Sequence, residues 1–353
     1  MSKIIISCAT LGSGGAERVI STLSKPLADI YEIVTIVMWV DAPIFYDIDK
    51  RVKKVCIEKE VGSKSDIKKM LWFRKFIKKE RPDVLLSFLE PYNLRVLIST
   101  VGLGIKTFVA ERNDPHGVNK YWIIDQLEKL VYRLADKILV QTETIKQFFD
   151  GALAERTSVI YNPVNLQEEM VGKALTTPQK NRIVSVARLM PQKNHDILIK
   201  AFARFSKTHP DYTLTIYGNG PQEEDLKRLA ESLGVGEEVS MPGASKTIHE
   251  DILDAEMMCL VSSREGMSNS MIESMCLGLP CICTKVSGAI DLIKDGENGL
   301  LVNIGDVDGL VEKMNLIADN PDKAKEIGIN ASQLYKLLNK DRICKEWLNV
   351  LDS

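Results

Sequence analysis

Short apolar runs separated by helical stretches recur along the whole chain, and their order predicts its architecture. Lys3 to Ala9, Ile33 to Val40, Pro82 to Phe88, Lys106 to Ala110 and Lys137 to Gln141 read as buried strands, too short and too continuously apolar for amphipathic helices. Between them Ala16 to Leu23, Asp66 to Glu80 and Asn93 to Thr100 read as helices. The second half repeats the pattern. Arg182 to Ala187, Tyr212 to Tyr217, Met257 to Val261, Cys281 to Thr284 and Leu300 to Val302 read as strands, while Val239 to Gly243 and Val286 to Gly288 read as turns. Helices open near Asp196, run through Leu229, and end at Gly278-Leu-Pro280. The alternation predicts an α/β fold, with two Rossmann-like domains facing each other across a cleft. Their expected limits are 1–165 and 166–339, with a last helix in 340–353; the polar stretch from Asn165 to Asn181 reads as the connection.

Bulk properties narrow the function classes. A formal charge of −2 over 353 residues argues against a partner such as nucleic acid. No apolar run reaches the roughly eighteen residues of a membrane span, and Lys3 to Cys8 is too short and strand-like for a signal peptide, so the expected location is the cytoplasm. The seven cysteines lie mostly in apolar runs, which suits reduced core thiols. Cys281-Ile-Cys283 lacks the spacing of a metal knuckle, so no metal site is expected.

Chemistry concentrates at strand ends. Glu265 follows the apolar run Met257 to Val261, and Ser268-Asn269-Ser270 offers capping oxygens to a helix that carries Glu273 within its first turn or so. Two acids with seven residues between them thus flank a helix start, whose free N–H groups suit a phosphate. Either acid alone also fits a solvated loop or a dipole-complementing first turn. Arg188 and Lys193, five positions apart after the strand Arg182 to Ala187, are two cations able to neutralise a departing diphosphate. Leu11-Gly-Ser-Gly-Gly15 follows the first strand as a glycine loop, in the Rossmann order. A dinucleotide fingerprint needs glycine where Glu17 stands, although Asp41 ends the second strand where a ribose-binding acid would be.

With these residues the chain resembles the retaining glycosyltransferases of family four, of GT-B fold, whose signature is Glu-x7-Glu with Gly after the first Glu. The likeness runs from Gly14-Gly15 to Gly288 and Asn298-Gly299. It implies a UDP-sugar-dependent hexosyltransferase that acts on a polyprenyl-linked glycan, in capsule, O-antigen or related polysaccharide assembly. By resemblance Arg188 and Lys193 hold the diphosphate, Glu273 the ribose and Glu265 the sugar hydroxyls. Gly14, Gly15 and the backbone of Ser268, Asn269 and Ser270 meet the phosphates, and Gly218 and Gly243 lie by the base. Glu111-Arg-Asn-Asp-Pro-His116 resembles a segment of the polyprenyl branch, with His116 matching a histidine that touches the donor sugar. The last helix of such proteins crosses back to the first domain. No Asp-x-Asp motif stands among the donor-binding groups, so neither a metal nor another cofactor is implied. The rivals are a GT-B UDP-sugar epimerase, a non-catalytic nucleotide-sugar-binding protein and the dehydrogenase that Glu17 weakens.

One helix suggests a further partner. Asp66 to Glu80 carries Ile67, Met70, Phe73 and Ile77 at helical spacing, with Lys68, Lys69, Lys75, Lys78 and Lys79 around the rest of the turn and Trp72 and Phe76 beside the stripe. Such a helix fits the inner face of an anionic membrane, and equally an ordinary soluble surface.

Overall fold

Lys3–Cys8 (β1) is buried at every position after Lys3 because both faces of its sheet are covered, and the same holds for Val84–Phe88 (β4), all of whose residues are buried. The structure is a computed structural model that describes residues 2–112 and 122–352, with side chains from residue 126 in the second span. Around β1 and β4 lie Ile33–Met38 (β2), Lys53–Cys56 (β3), Lys106–Ala110 (β5), Lys137–Val140 (β6) and Thr157–Val159 (β7), in the order β3-β2-β1-β4-β5-β6-β7. Every pairing is parallel. Chain order reverses between β1 and β4, so the loops after these strands frame the crevice where open α/β sheets bind ligands.

A second parallel sheet runs β10-β9-β8-β11-β12-β13, built from Lys180–Val186 (β8), Thr213–Tyr217 (β9), Val239–Gly243 (β10), Ala255–Leu260 (β11), Cys281–Thr284 (β12) and Leu300–Val302 (β13). Its reversal lies between β8 and β11, which pair through Met257 with Ile183 and Met258 with Val184. These sheets are the centres of two α/β units. The first runs through Pro163 and takes up the chain again from Lys340; the second is Val164–Asn339. The closing helix Lys340–Asp352 buries Ile343, Trp347 and Leu351 in the core of the first unit, against Ile20 and Phe88 among others. With its fold and sequence signature, the chain has the two-sheet architecture of GT-B proteins.

Several local expectations are corrected. Val239 to Gly243 is a strand rather than a turn: it lies at the sheet edge, where the missing N–H of Pro242 is tolerated. Val286 to Gly288 opens a helix, Ser287–Leu292, rather than a turn. The stretch after Asn165 is built into the second unit, with Ala174 buried and the Gly172 N–H bonded to the Cys276 carbonyl at 2.9 Å. Within Asp66–Glu80, Phe73 and Ile77 are buried, but Ile67 is 72% exposed at the helix's outer end. Lys69 does not face solvent. It is buried and donates to the Trp39 carbonyl at 3.0 Å and to Glu58 at 3.4 Å, which satisfies its charge. All seven cysteines are buried free thiols.

Candidate active site

At the carboxyl end of β8 the backbone turns sharply and carries two cations outward. The Leu189 N–H bonds to the Asn219 carbonyl at 3.0 Å and its side chain is fully buried, which pins the loop while Arg188 beside it is exposed. The short turn Pro191–Lys193 follows, and Asn194, at φ 50°, opens the helix His195–Phe205. Gly218 allows this close approach: at φ 146° it lies against the Ala187 carbonyl, where a Cβ would collide. Gly243, at φ 88°, accepts the Gly218 N–H at 2.9 Å. Backbone packing thus accounts for both glycines without a ligand.

The loop after β11 is latched onto this turn. Ser263 N–H donates to the Gln192 carbonyl at 2.8 Å, Gln192 Nε2 donates to the Arg264 carbonyl at 2.5 Å, and Thr284 Oγ1 donates to the Ser262 carbonyl at 2.6 Å. The latches bring Lys193 Nζ into an ion pair with Glu265 Oε1, which also accepts from Ser262 Oγ at 3.2 Å. Both side chains are largely removed from water, so losing either one would leave the other without its counter-charge. Three residues on, Ser268 caps the helix Asn269–Leu277, its Oγ accepting from the Met271 N–H at 3.4 Å and lying 3.0 Å from Ser270 Oγ. Asn269 is the first helical residue, and the first N–H groups of a helix have no partner within the helix itself. Gly278, at φ 90°, ends the helix.

Glu273 corrects its expected place: it is the fifth helical residue, in the second turn, too far along to complement the helix start. It is buried and its Oε2 lies 3.0 Å from Nε2 of His249. Below the Arg188–Asn194 loop, His195 is buried with the backbone of Arg188 and Ala187 beside its ring. Burial drives its pKa down to about 4, against the pull of the Arg188 and Ala187 backbone and with some help from the Lys193 cation. Its ring is therefore neutral. Sequence reasoning missed His249, Gln192, Ser262 and His195; only Gln192, inside the Arg188–Lys193 loop, and His195, just past it, stood near a visible signal.

In the first unit Gly14 caps and Gly15 begins the helix Gly15–Ile30. A Cβ at Gly14 would meet only the Glu17 carboxylate, the movable end of a side chain, and Thr10 Oγ1 is 3.4 Å from Glu17 Oε1. After β5, Glu111 is buried and accepts from Tyr132 at 2.9 Å and from the Arg112 N–H at 3.0 Å. Arg112, also buried, donates to the Ile160 carbonyl at 3.3 Å and to Asn162 at 3.2 Å, and stacks 4.9 Å from the Trp347 ring; burial lowers its pKa to about 9. His116 lies outside the described residues. Arg188, Lys193, Gly218, Gly243, Glu265, Ser268 to Ser270 and Glu273 all belong to the second unit, and Gly14 and Gly15 to the first. Among the described residues no three His, Cys, Asp or Glu side chains are grouped to hold a metal ion.

Known proteins resemble both halves. Residues 13–168 match the family described as Glycosyltransferase Family 4, and residues 167–334 match Glycosyl transferases group 1. The chain is 29% identical, over 99% of its length and 98% of the other's, to GalNAc-alpha-(1->4)-GalNAc-alpha-(1->3)-diNAcBac-PP-undecaprenol alpha-1,4-N-acetyl-D-galactosaminyltransferase of Campylobacter jejuni. It is also 29% identical, over 99% of its length and 100% of the other's, to N-acetylgalactosamine-N,N'-diacetylbacillosaminyl-diphospho-undecaprenol 4-alpha-N-acetylgalactosaminyltransferase of the same species. Among solved structures, Anabaena HepE in complex with UDP and glucose superposes with a TM-score of 0.81 at 18% identity, over 100% of both chains.

Proposed function

We propose that this chain, a GT-B glycosyltransferase resembling the transferases of polyprenyl-linked glycans, moves a hexose or N-acetylhexosamine from a UDP-sugar to an undecaprenyl-diphosphate-linked glycan with retention of configuration. The observation that carries this reading is the meeting of Lys193 and Glu265 at the reversal between β8 and β11, three residues before a capped helix start. A cation, an acid and a helix start at one sheet reversal suit a diphosphate joined to a hydroxyl-rich ring. The names of the two Campylobacter relatives favour an N-acetylhexosamine and a diphospho-undecaprenol acceptor, and the UDP bound to HepE favours UDP.

In the proposed reaction Arg188 and Lys193 bind the diphosphate with the N–H groups of Ser268 to Ser270 and of Gly14 and Gly15. Glu273 takes the ribose, Glu265 the sugar hydroxyls, the backbone at Gly218 and Gly243 the base, and His116 the sugar near its reacting carbon. The bond from the anomeric carbon to the β-phosphate oxygen breaks, its electron pair leaving on that oxygen. An acceptor hydroxyl bonds the same carbon on the same face, and its proton passes to the departing phosphate. Negative charge grows on the diphosphate as this happens, so Arg188 and Lys193 act in the transition state as well as in binding. They take the part a metal ion plays elsewhere, and no metal is required.

The acceptor is a lipid, and the helix Asp66–Glu80 is the proposed contact with an anionic membrane surface. Its outward face shows Ile67 at 72% and Leu71 at 64% exposure among Lys68, Lys75, Lys78 and Lys79, with Trp72 stacked on Phe76 at 4.9 Å on its margin. Apolar side chains among cations fit the boundary between headgroups and acyl chains. Among the described residues no helix is long and apolar enough to cross a membrane. The deciding assay gives the purified protein UDP-, GDP- and ADP-sugars with a diphospho-undecaprenyl glycan, with and without EDTA. Transfer from a UDP-sugar, unchanged by EDTA, is expected. A new UDP-sugar without acceptor consumption would make it an epimerase, and binding without turnover a non-catalytic protein.

A further inference from the structure

Glu273 is buried on a three-bond side chain, and a carboxylate so placed needs a fixed partner to hold one orientation. His249 supplies it, from the short helical turn Ile248–Asp251, with Nε2 at 3.0 Å from Glu273 Oε2. A carboxylate oxygen can only accept, so Nε2 carries the proton in this pair. The turn that delivers His249 is itself pinned. Thr247 N–H donates to Ser245 Oγ at 3.0 Å, the Asp251 N–H donates to the Thr247 carbonyl at 2.9 Å, and the Ser245 hydroxyl donates to the Asp251 carboxylate. One residue past β10, the Ala244 N–H donates to Asn219 Oδ1 at 3.1 Å, which ties the same segment to the end of β9.

We propose that His249 is a positioning residue that sets the Glu273 carboxylate for the ribose hydroxyls of the nucleotide, joining the turn on the base side of the site to the acid on the ribose side. The proposal rests on the reading that Glu273 binds ribose. A carboxylate held by His249 through one oxygen keeps its remaining lone pairs in a fixed direction, and a ribose lacking a hydroxyl there leaves that acceptor unmatched. His249 thereby contributes to the choice of ribose over deoxyribose without touching the nucleotide.

Calorimetric titration of the full chain with UDP and with 2′-deoxy-UDP tests this. The wild type is expected to prefer UDP by about tenfold, the scale of one hydrogen bond to a charged group. His249→Phe is expected to weaken UDP about tenfold and leave 2′-deoxy-UDP unchanged, so that the preference disappears. In His249→Gln the amide N–H takes the place of Nε2, and the preference is expected to return. If His249→Phe weakens both nucleotides equally while its melting temperature holds, the residue only shapes the pocket and the proposal fails, with the nucleotide-sugar reading intact. Equal affinity of the wild type for both nucleotides overturns the proposal in the same way. A wild type that binds neither overturns the nucleotide-sugar reading itself and takes this proposal with it.

Discussion

Lys193 and Glu265 stand 72 positions apart in sequence and form an ion pair across the carboxyl ends of β8 and β11, with Ser262 donating to the same carboxylate oxygen. Their side chains are 12% and 14% exposed, so each charge depends on the other in a medium that screens poorly. In the proposed reaction a diphosphate bound by Lys193 competes with Glu265 for it. Glu265→Gln removes the competitor and is expected to tighten UDP binding by about tenfold while lowering sugar transfer. Lys193→Ala is expected to lower both, with transfer down about tenfold to a hundredfold. Titration with UDP beside turnover measurements checks the pair of outcomes, and unaltered UDP affinity in Glu265→Gln would remove the competition.

The helix Asp66–Glu80 is expected to respond to charge reversal on its outward face. Each Lys near an anionic surface contributes about 1 kcal/mol, so replacing Lys68, Lys75 and Lys78 by Glu is expected to weaken vesicle binding by at least about a hundredfold. These side chains are exposed and outside the core, so folding should be untouched. Sedimentation with phosphatidylglycerol vesicles, against phosphatidylcholine as control, reads the effect. Equal sedimentation of variant and wild type would take this helix off the membrane.

Trp347 is fully buried in the closing helix, stacked 5.7 Å from Phe88 and 4.9 Å from the Arg112 guanidinium, which also grips Ile160 and Asn162. Arg112 thus ties the segment that leaves the first unit to the helix that returns to it. Trp347→Ala opens a cavity and exposes a buried cation, and is expected to cost about 3–5 kcal/mol of stability. Urea denaturation measures it. A loss under about 1 kcal/mol would mean the helix contributes little to the core.

The strands most legible in the sequence were those buried on both faces, because a continuous apolar run leaves few alternatives. β4 and β12 were read in place for that reason. Edge strands gave no such signal: β3 carries Lys53 and Lys54, and β10 contains Pro242 and a polar alternate face. Glu265, Arg188 and Lys193 stood out by their places after apolar strands and by their spacing, and the fold pairs Lys193 with Glu265 while Arg188 stays exposed. His249 was invisible, since its partner lies 24 positions on and no spacing rule joins the two. Lys69 misled for the same reason: a lysine on an amphipathic helix reads as solvated until Trp39 and Glu58 are seen around it.

His195 gives the stability of the second unit a pH dependence of definite sign. Burial holds the ring at about 4, below its ordinary 6.5, so between those values the unfolded chain binds a proton that the folded chain refuses. Stability is therefore complete above the unfolded value, falls as pH drops through this window, and stops falling below the folded one. A gap of this size amounts to about 3 kcal/mol. His195→Leu removes the titrating group and keeps an apolar side chain of similar size in its buried place. Urea midpoints taken near pH 7 and near pH 4 are expected to fall less for the Leu variant than for the wild type. Parallel falls in the two proteins would show that the ring accepts its proton inside the folded unit, and that the loop holding Arg188 and Lys193 does not rest on a neutral histidine.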